Sequence, residues 1–484
     1  MLYFVLGHGL ISTDGQTRYI PQAQQLAQSS SHFFTQIGPF YSTFLMLFGK
    51  FTHDYVTGPV IVQHILGVIT ALLVFFYFRK INLPMAIAVA VIVYAGLFAL
   101  FIEHYVLREA LAAFLMISLV FLVTLAAKDT KYMRFVFGLL TGLIGVLLIL
   151  TRIELVGVVI LVPVILFITR KRDGLSFHFR NKAFWKWTGG YYLLTFVVVI
   201  IVGTMNFITP NQGSLISPYG SYTGIAYFNL KPDAFNYEGS RYPELLKMYQ
   251  AALKNSGGTP SENVAAIEEA TQEYLDQHPE IELTVGKLMD RMYFDGLTKN
   301  PAPFLWSIAT NLGNQLLGRG EADFMTQINI KMGNLTVVNN NGVVSGVTEK
   351  DNQSSGTGKT GILWDIVNLI SRAYSTVMGL IYRVLFSAAF TWLLVPSLVF
   401  MFFKWKKLPA EIIISFFICA IVFATLAVLA NPIHRFRYPV DPLMYFLQLY
   451  LIFLMAKQLY SWASRSIRAR LHPVKLSNDI NDVS

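Results

Sequence analysis

The chain has 484 residues, of which 54% are hydrophobic and 14% charged, with a mean hydropathy of +0.51 and a formal net charge of +10. Soluble globular proteins carry roughly 25% charged residues, so the composition excludes a surface that faces water over most of the molecule. Nor does the positive charge point to nucleic acid. The basic residues gather in short loops at one end of the apolar runs, which is the cytoplasmic bias of membrane proteins. The single cysteine, Cys419, excludes an intrachain disulfide and reads as apolar packing.

A bilayer core of about 30 Å takes about 20 apolar residues at about 1.5 Å per helical residue. The first apolar stretch, residues 1–11, is too short for this; it is either a truncated first helix or begins downstream of the true start. It lacks the basic flank and small-residue site of a signal peptide. Residues 12–56 read as a polar-to-amphipathic loop. Spans follow at about 56–78, ending in Arg79-Lys80, at 83–102, and at 110–127 after the polar tip EHYVLRE. The runs 135–150 and 155–169 are separated by Arg152-Ile153-Glu154. The basic flanks KDTKYMR and RKRDGLSFHFRNKAFWK should lie on one side, so the two runs are expected to form a hairpin with Arg152 and Glu154 at its outer tip.

A seventh span is predicted at 190–208, which puts residues 209–361 on the outer face as a mainly helical soluble domain. Within it Ser261 reads as the N-cap of SENVAAIEEATQEYLDQH. A second amphipathic stretch breaks at Pro301 and Pro303, and residues 339–361 have the composition of a flexible linker. GILWDIVNLISRAYS is expected along the outer interface. Further spans are predicted at 377–403, 412–430 and 442–459, followed by the basic cytoplasmic tail SRSIRARLHPVK. The expectation is an all-α polytopic membrane protein of about ten transmembrane helices. Residues 1–208 form an N-terminal membrane module, 209–361 an extracytoplasmic domain, and 362–484 a C-terminal membrane module.

Ionisable residues beside or within spans are costly and mark candidate sites. Four outward groups stand out: Asp14 in STDGQTRYIPQAQQLA, Glu103 and Glu109 in FIEHYVLREALAAF, Arg152 with Glu154, and His434, Arg435 and Arg437 in HRFRYP. Each has a plainer reading. Asp14-Gly15 is a common turn dipeptide. Glu109 suits the positive end of its own helix dipole, and Glu103 reads as a solvated interfacial residue. Arg152 and Glu154 form a structural ion pair on this reading, and HRFRYP a basic patch on anionic headgroups.

The order of these features resembles the GT-C glycosyltransferases. An apolar helix leads to Asp14-Gly15 with Tyr19 five residues after the acid, then an amphipathic loop with the GPFYS segment, then a span ending in Arg/Lys. The nearest patterns are the protein O-mannosyltransferases and the lipid A aminoarabinose transferases. The likeness covers the first 170 residues and returns in MYFDGLTKNPAPFL and HRFRYPVDP. It implies a GT-C-like helix bundle that moves a sugar from a polyprenyl-phosphate donor to a glycan, lipid or protein acceptor on the extracytoplasmic face of a bacterial inner membrane. It further implies Asp14 as the base, Glu109 as the second acid, and Arg152, Arg435 and Arg437 on the donor phosphate, with Tyr19, Glu103, Glu154 and His434 in support. No cofactor is required by the likeness. A divalent ion held by Asp14 and a second carboxylate stays open, and no cysteine, histidine or acid cluster has zinc-ligand spacing.

Two other classes fit a polytopic chain. An O-antigen polymerase or ligase would carry its essential basic residues in the large outer loop, whereas the strongest charges here sit in the first loop and before the last span. A transporter or flippase would show internal repeats, and none is evident, although Arg383 inside the eighth span suits that class. GTGKT at 356–360 lacks the first glycine of a phosphate loop, and Asn334-Leu335-Thr336 matters only in a eukaryotic secretory compartment.

Overall fold

The computed structural model describes residues 15–28, 39–95, 102–172, 182–208, 230–256, 260–317, 335–340, 343–349, 408–429 and 438–471, with the single positions 373 and 377. The predicted segments 1–11 and 377–403 and the interfacial stretch at 361–375 lie essentially outside these residues. The described chain is mainly helical. A π-helical turn, Gly15–Tyr19, leads into α1 (Ile20–Gln28) and α2 (Pro39–Thr52). The bundle then comprises α3 (Thr57–Phe78), α4 (Leu83–Ala95), α5 (Glu109–Lys128), α6 (Phe135–Thr151), α7 (Val156–Arg172) and α8 (Lys182–Ile208). A second body holds α9 (Pro243–Asn255), α10 (Pro260–Gln277), α11 (Val285–Lys299) and α12 (Pro301–Leu317), followed by strands β1 (Leu335–Asn340) and β2 (Val343–Glu349). Helices α13 (Ala410–Leu429) and α14 (Asp441–Leu471) return to the bundle.

Three helices among the described residues are long and apolar enough to cross a membrane: Thr57–Phe78, Glu109–Lys128 and Tyr438–Ser464. Four shorter apolar helices accompany them. This is a membrane protein. Along α3, Ile61, Ile65, Val68, Leu72 and Phe76 are exposed, while Gln63, Gly67, Thr70 and Val74 on the other side are buried. An apolar stripe that recurs every three to four residues and faces outward is the surface a helix offers to lipid.

Local chemistry sets the helix ends. The Asp54 carboxylate accepts from the backbone N–H groups of Val56 (2.7 Å) and Thr57 (3.0 Å), turning the chain into α3. The Asn82 side chain accepts from Met85 N–H at 3.1 Å and caps α4, where Pro84 occupies a first-turn position that needs no donor. The 135–172 hairpin is present. Arg108, before α5, reaches the Thr151 carbonyl at the end of α6, and Arg170, late in α7, donates to the Ala126 carbonyl near the other end of α5 (3.0 Å). Helices α6 and α8 run parallel and very close. A Cβ at Gly138 would overlap the Trp187 carbonyl, and one at Gly142 that of Tyr191, so this small-residue face lets backbones meet as in other membrane helix pairs.

Several boundaries differ from the sequence reading. Helix α8 begins at Lys182 rather than 190, and α14 continues to Leu471 rather than 459. Helix α10 starts at Pro260, ahead of the expected Ser261 cap, because proline suits the first helical position. Asn300 ends α11, and Pro301 opens α12; Pro303 falls in that first turn and breaks nothing. The larger correction concerns EHYVLRE, which is no exposed tip: Glu103, His104, Tyr105, Val106, Leu107 and Arg108 are all buried. Strands β1 and β2 pair antiparallel, Leu335 with Glu349 and Asn340 with Val343. Strand β2 therefore occupies positions 343–349, where composition predicts a linker; Asn341-Gly342 between the strands is a strong hairpin signal.

The second body has its own core, built from Leu230, Phe235, Leu245, Tyr249, Ile267, Met289, Tyr293 and Phe304. Helix α12 spans both cores: Phe304 belongs to this one, and Leu312 packs on the bundle core.

Candidate functional site

Residues 102–104 are the end of a helical segment and 105–108 are irregular backbone held inside the bundle, so their polar groups need partners from neighbouring helices. Gln63 supplies two of them. Its Nε2 donates to the carbonyls of Glu103 (3.0 Å) and Tyr105 (2.7 Å), and its Oε1 accepts from Tyr41 of α2 (2.8 Å). Ser42 beside Tyr41 donates to Gln22 of α1 at 3.0 Å, so the first loop is stitched over this end of the bundle.

The Glu103 carboxylate lies against α3. His64 Nδ1 stands 3.1 Å from Oε2, and Tyr438 OH donates to Oε1 at 3.4 Å. His64 Nε2 faces His104 Nδ1 at 3.4 Å. Gly67 makes the room, since a Cβ there would overlap the carboxylate itself. The carboxylate opens on a narrow cleft lined also by Ala110, Tyr438, Asp441 and Tyr445. Burial pushes the Glu103 carboxyl up to about 7, against the opposing hydrogen bond and charge of His64 and the bond from Tyr438. Burial likewise pulls His104 down to about 4, with His64 adding to the effect.

A second group adjoins it. Arg108 Nη2 donates to Glu154 Oε1 at 2.9 Å and Nη1 to the Thr151 carbonyl at 3.3 Å. Arg152, fully buried, approaches Glu154 Oε2 at 3.8 Å. Burial opposes ionisation of Glu154, but the guanidiniums of Arg108 and Arg152 outweigh it and hold the carboxyl at about 2. Glu109 sits buried in the first turn of α5, and it and Tyr19 are near enough to act on Arg152 electrostatically. The formal charges of Arg108 and Arg152 are balanced by those of Glu109 and Glu154. A bound anion would need further cations.

Among the residues singled out from sequence, Tyr19, Glu103, Glu109, Arg152 and Glu154 therefore meet at one end of the bundle. Glu103 is not the solvated residue its sequence context suggests, and Glu154 has Arg108 as its nearer partner rather than Arg152. Asp14, His434, Arg435 and Arg437 lie outside the described residues. In sequence they adjoin Gly15, which is buried, and Tyr438, which touches Glu103. Sequence reasoning missed Tyr41, Gln63, His64, Arg108, Tyr438 and Asp441. The Gln63-His64 pair inside an apolar span was the available signal. Among the described residues no three His, Cys, Asp or Glu side chains group closely enough to hold a metal ion. Comparison with protein-family models, curated proteins and solved structures gives no match for this chain.

Proposed function

We propose that this membrane protein is an inverting glycosyltransferase of GT-C-like architecture, with about ten spans, that moves a sugar from a polyprenyl-phosphate donor to a glycan, lipid or protein acceptor. On this reading it works at the extracytoplasmic face of a bacterial inner membrane. The observation that supports it best is convergence: Tyr19, Tyr41 and the chain at 102–109, 151–154 and 438–441 contribute acids, arginines and tyrosines to one end of a lipid-facing bundle.

The donor enters from the bilayer with its sugar toward the cleft. Asp14 takes the proton of the acceptor hydroxyl, whose oxygen attacks the anomeric carbon from the face opposite the phosphate. Glu109 assists as the second acid. Arg435 and Arg437, aided by Arg152, hold the leaving phosphate; planar guanidinium groups suit its oxygens. The charge balance around Glu154 fits this division, because it assigns most of the phosphate's neutralisation to the two arginines before Tyr438.

The test is transfer by the purified protein in liposomes, offered a panel of labelled polyprenyl-phosphate sugars and candidate acceptors. Release of polyprenyl phosphate coupled to sugar transfer is expected, with Asp14→Asn lowering it about 10²–10⁴-fold while donor binding persists. Movement of the lipid-linked sugar across the membrane without transfer would sink the proposal in favour of a flippase.

A further inference from the structure

The second body is unevenly charged. Helix α10 carries five acids, Glu262, Glu268, Glu269, Glu273 and Asp276, all exposed, and no base. Helix α12 carries no charged residue in its 17 positions, where a water-facing helix would hold about four at the usual rate of roughly 25%. Among the described residues of this body, the exposed large apolar side chains are Phe294 at 50%, Leu305 at 55% and Trp306 at 74%. They gather where α11 meets α12. Their chain neighbours Tyr293 and Phe304 pack edge to face with ring centroids 5.3 Å apart, and Gly296 lies against the Phe304 ring.

Helix α12 also continues to the bundle, where Leu312 packs on the core and the helix runs beside α13. Trp306 precedes Leu312 by six residues, so at about 1.5 Å per residue the two are about 9 Å apart along the axis. The headgroup layer beside a bilayer core is roughly 5–8 Å deep. Ala302, Leu305, Trp306 and Ala309 form an exposed stripe on α12 that is apolar throughout, as is the outer stripe of α3.

We propose that the α11–α12 corner sits in the headgroup layer of the bilayer that holds the bundle, seating the second body on the membrane. Leu305 and Phe294 enter the acyl boundary, and Trp306 takes the headgroup level that tryptophan prefers. Arg291, exposed and three residues before Phe294, is placed to meet lipid phosphates. The acidic face of α10, which anionic lipids would repel, belongs to the water side. A lipid surface fits better than a soluble partner because the apolar stripe is continuous with a helix that packs on the bundle. The inference stands whether or not the chain transfers sugar.

The test uses the full chain in nanodiscs of phosphatidylethanolamine and phosphatidylglycerol. In a Cys419→Ala background, Trp306→Cys carries a polarity-sensitive fluorophore, and Glu269→Cys on α10 gives the water-side reference. Spin labels on the lipid headgroup or high on the acyl chain should quench the probe at 306 at least about twofold more than the one at 269, with a blue-shifted emission. Adding Leu305→Glu should bring the quenching down toward the reference. Phe294→Cys takes the same probe if Trp306→Cys does not fold. Water-like emission with equal quenching at both sites would overturn the proposal. So would a blue shift without quenching by lipid, which marks a cover of protein such as a second copy of the chain.

Discussion

The two ends of the bundle are both polar, yet they are built differently. At one end Tyr77 of α3 donates to the Glu411 carbonyl at 3.0 Å, Thr124 donates to Tyr77 at 3.2 Å, and Lys128 pairs with the Glu411 side chain. There regular helices end, and a partly exposed lysine meets one acid. At the Glu103 end, irregular backbone is buried, a glycine is hollowed to admit a carboxylate, and two arginines share a glutamate. The first arrangement closes a bundle. The second keeps ionisable groups from water, which shifts proton equilibria and makes every lost partner expensive.

Removing the acid from each end should expose that difference. Glu154→Ala leaves two guanidiniums buried together and should cost about 3–5 kcal/mol, read as a large loss of thermal stability in detergent. Glu411→Ala should cost clearly less, because Lys128, 43% exposed, can turn its ammonium to water. Equal losses would erase the distinction.

The pH response sharpens it. Glu103 is raised from 4.5 to about 7, so the folded state holds the proton more tightly than the unfolded chain. Its contribution to stability is therefore full below pH 4.5 and declines as pH rises to 7. Glu103→Gln should flatten that decline. Glu154 works oppositely: its contribution is present above 4.5 and fades as pH falls toward 2.

Away from both ends, Gly138→Ala should push α6 from α8 and cost about 1–3 kcal/mol by overpacking, measured by thermal unfolding. The smallest effect expected is that of Asn82→Ala, about 1 kcal/mol for a lost helix cap. A neutral result there would mean that packing alone sets the start of α4.

The spans at 56–78 and 110–127 could be read from sequence because long apolar runs are local signals; they differ from α3 and α5 by no more than a residue at either end. The burial of 102–108 could not. Its letters are those of a loop, and the groups that satisfy it, Gln63 and Tyr438, lie about 40 and 335 positions away. For the same reason Arg152 and Glu154, two positions apart, suggest each other in sequence, whereas Arg108 and Glu154, 46 positions apart, do not. The β-hairpin was hidden differently: the Asn341-Gly342 dipeptide that signals it in sequence lies within a polar stretch whose overall composition outweighs it.

Helix α12 carries one residue in each core and no break between Phe304 and Leu312. A rod fixed at both ends transmits torque. A load that tilts the second body would twist α13, beside which α12 runs, instead of dissipating in a soft joint. Any macromolecule gripping that body would thereby have a mechanical handle on the transmembrane helices.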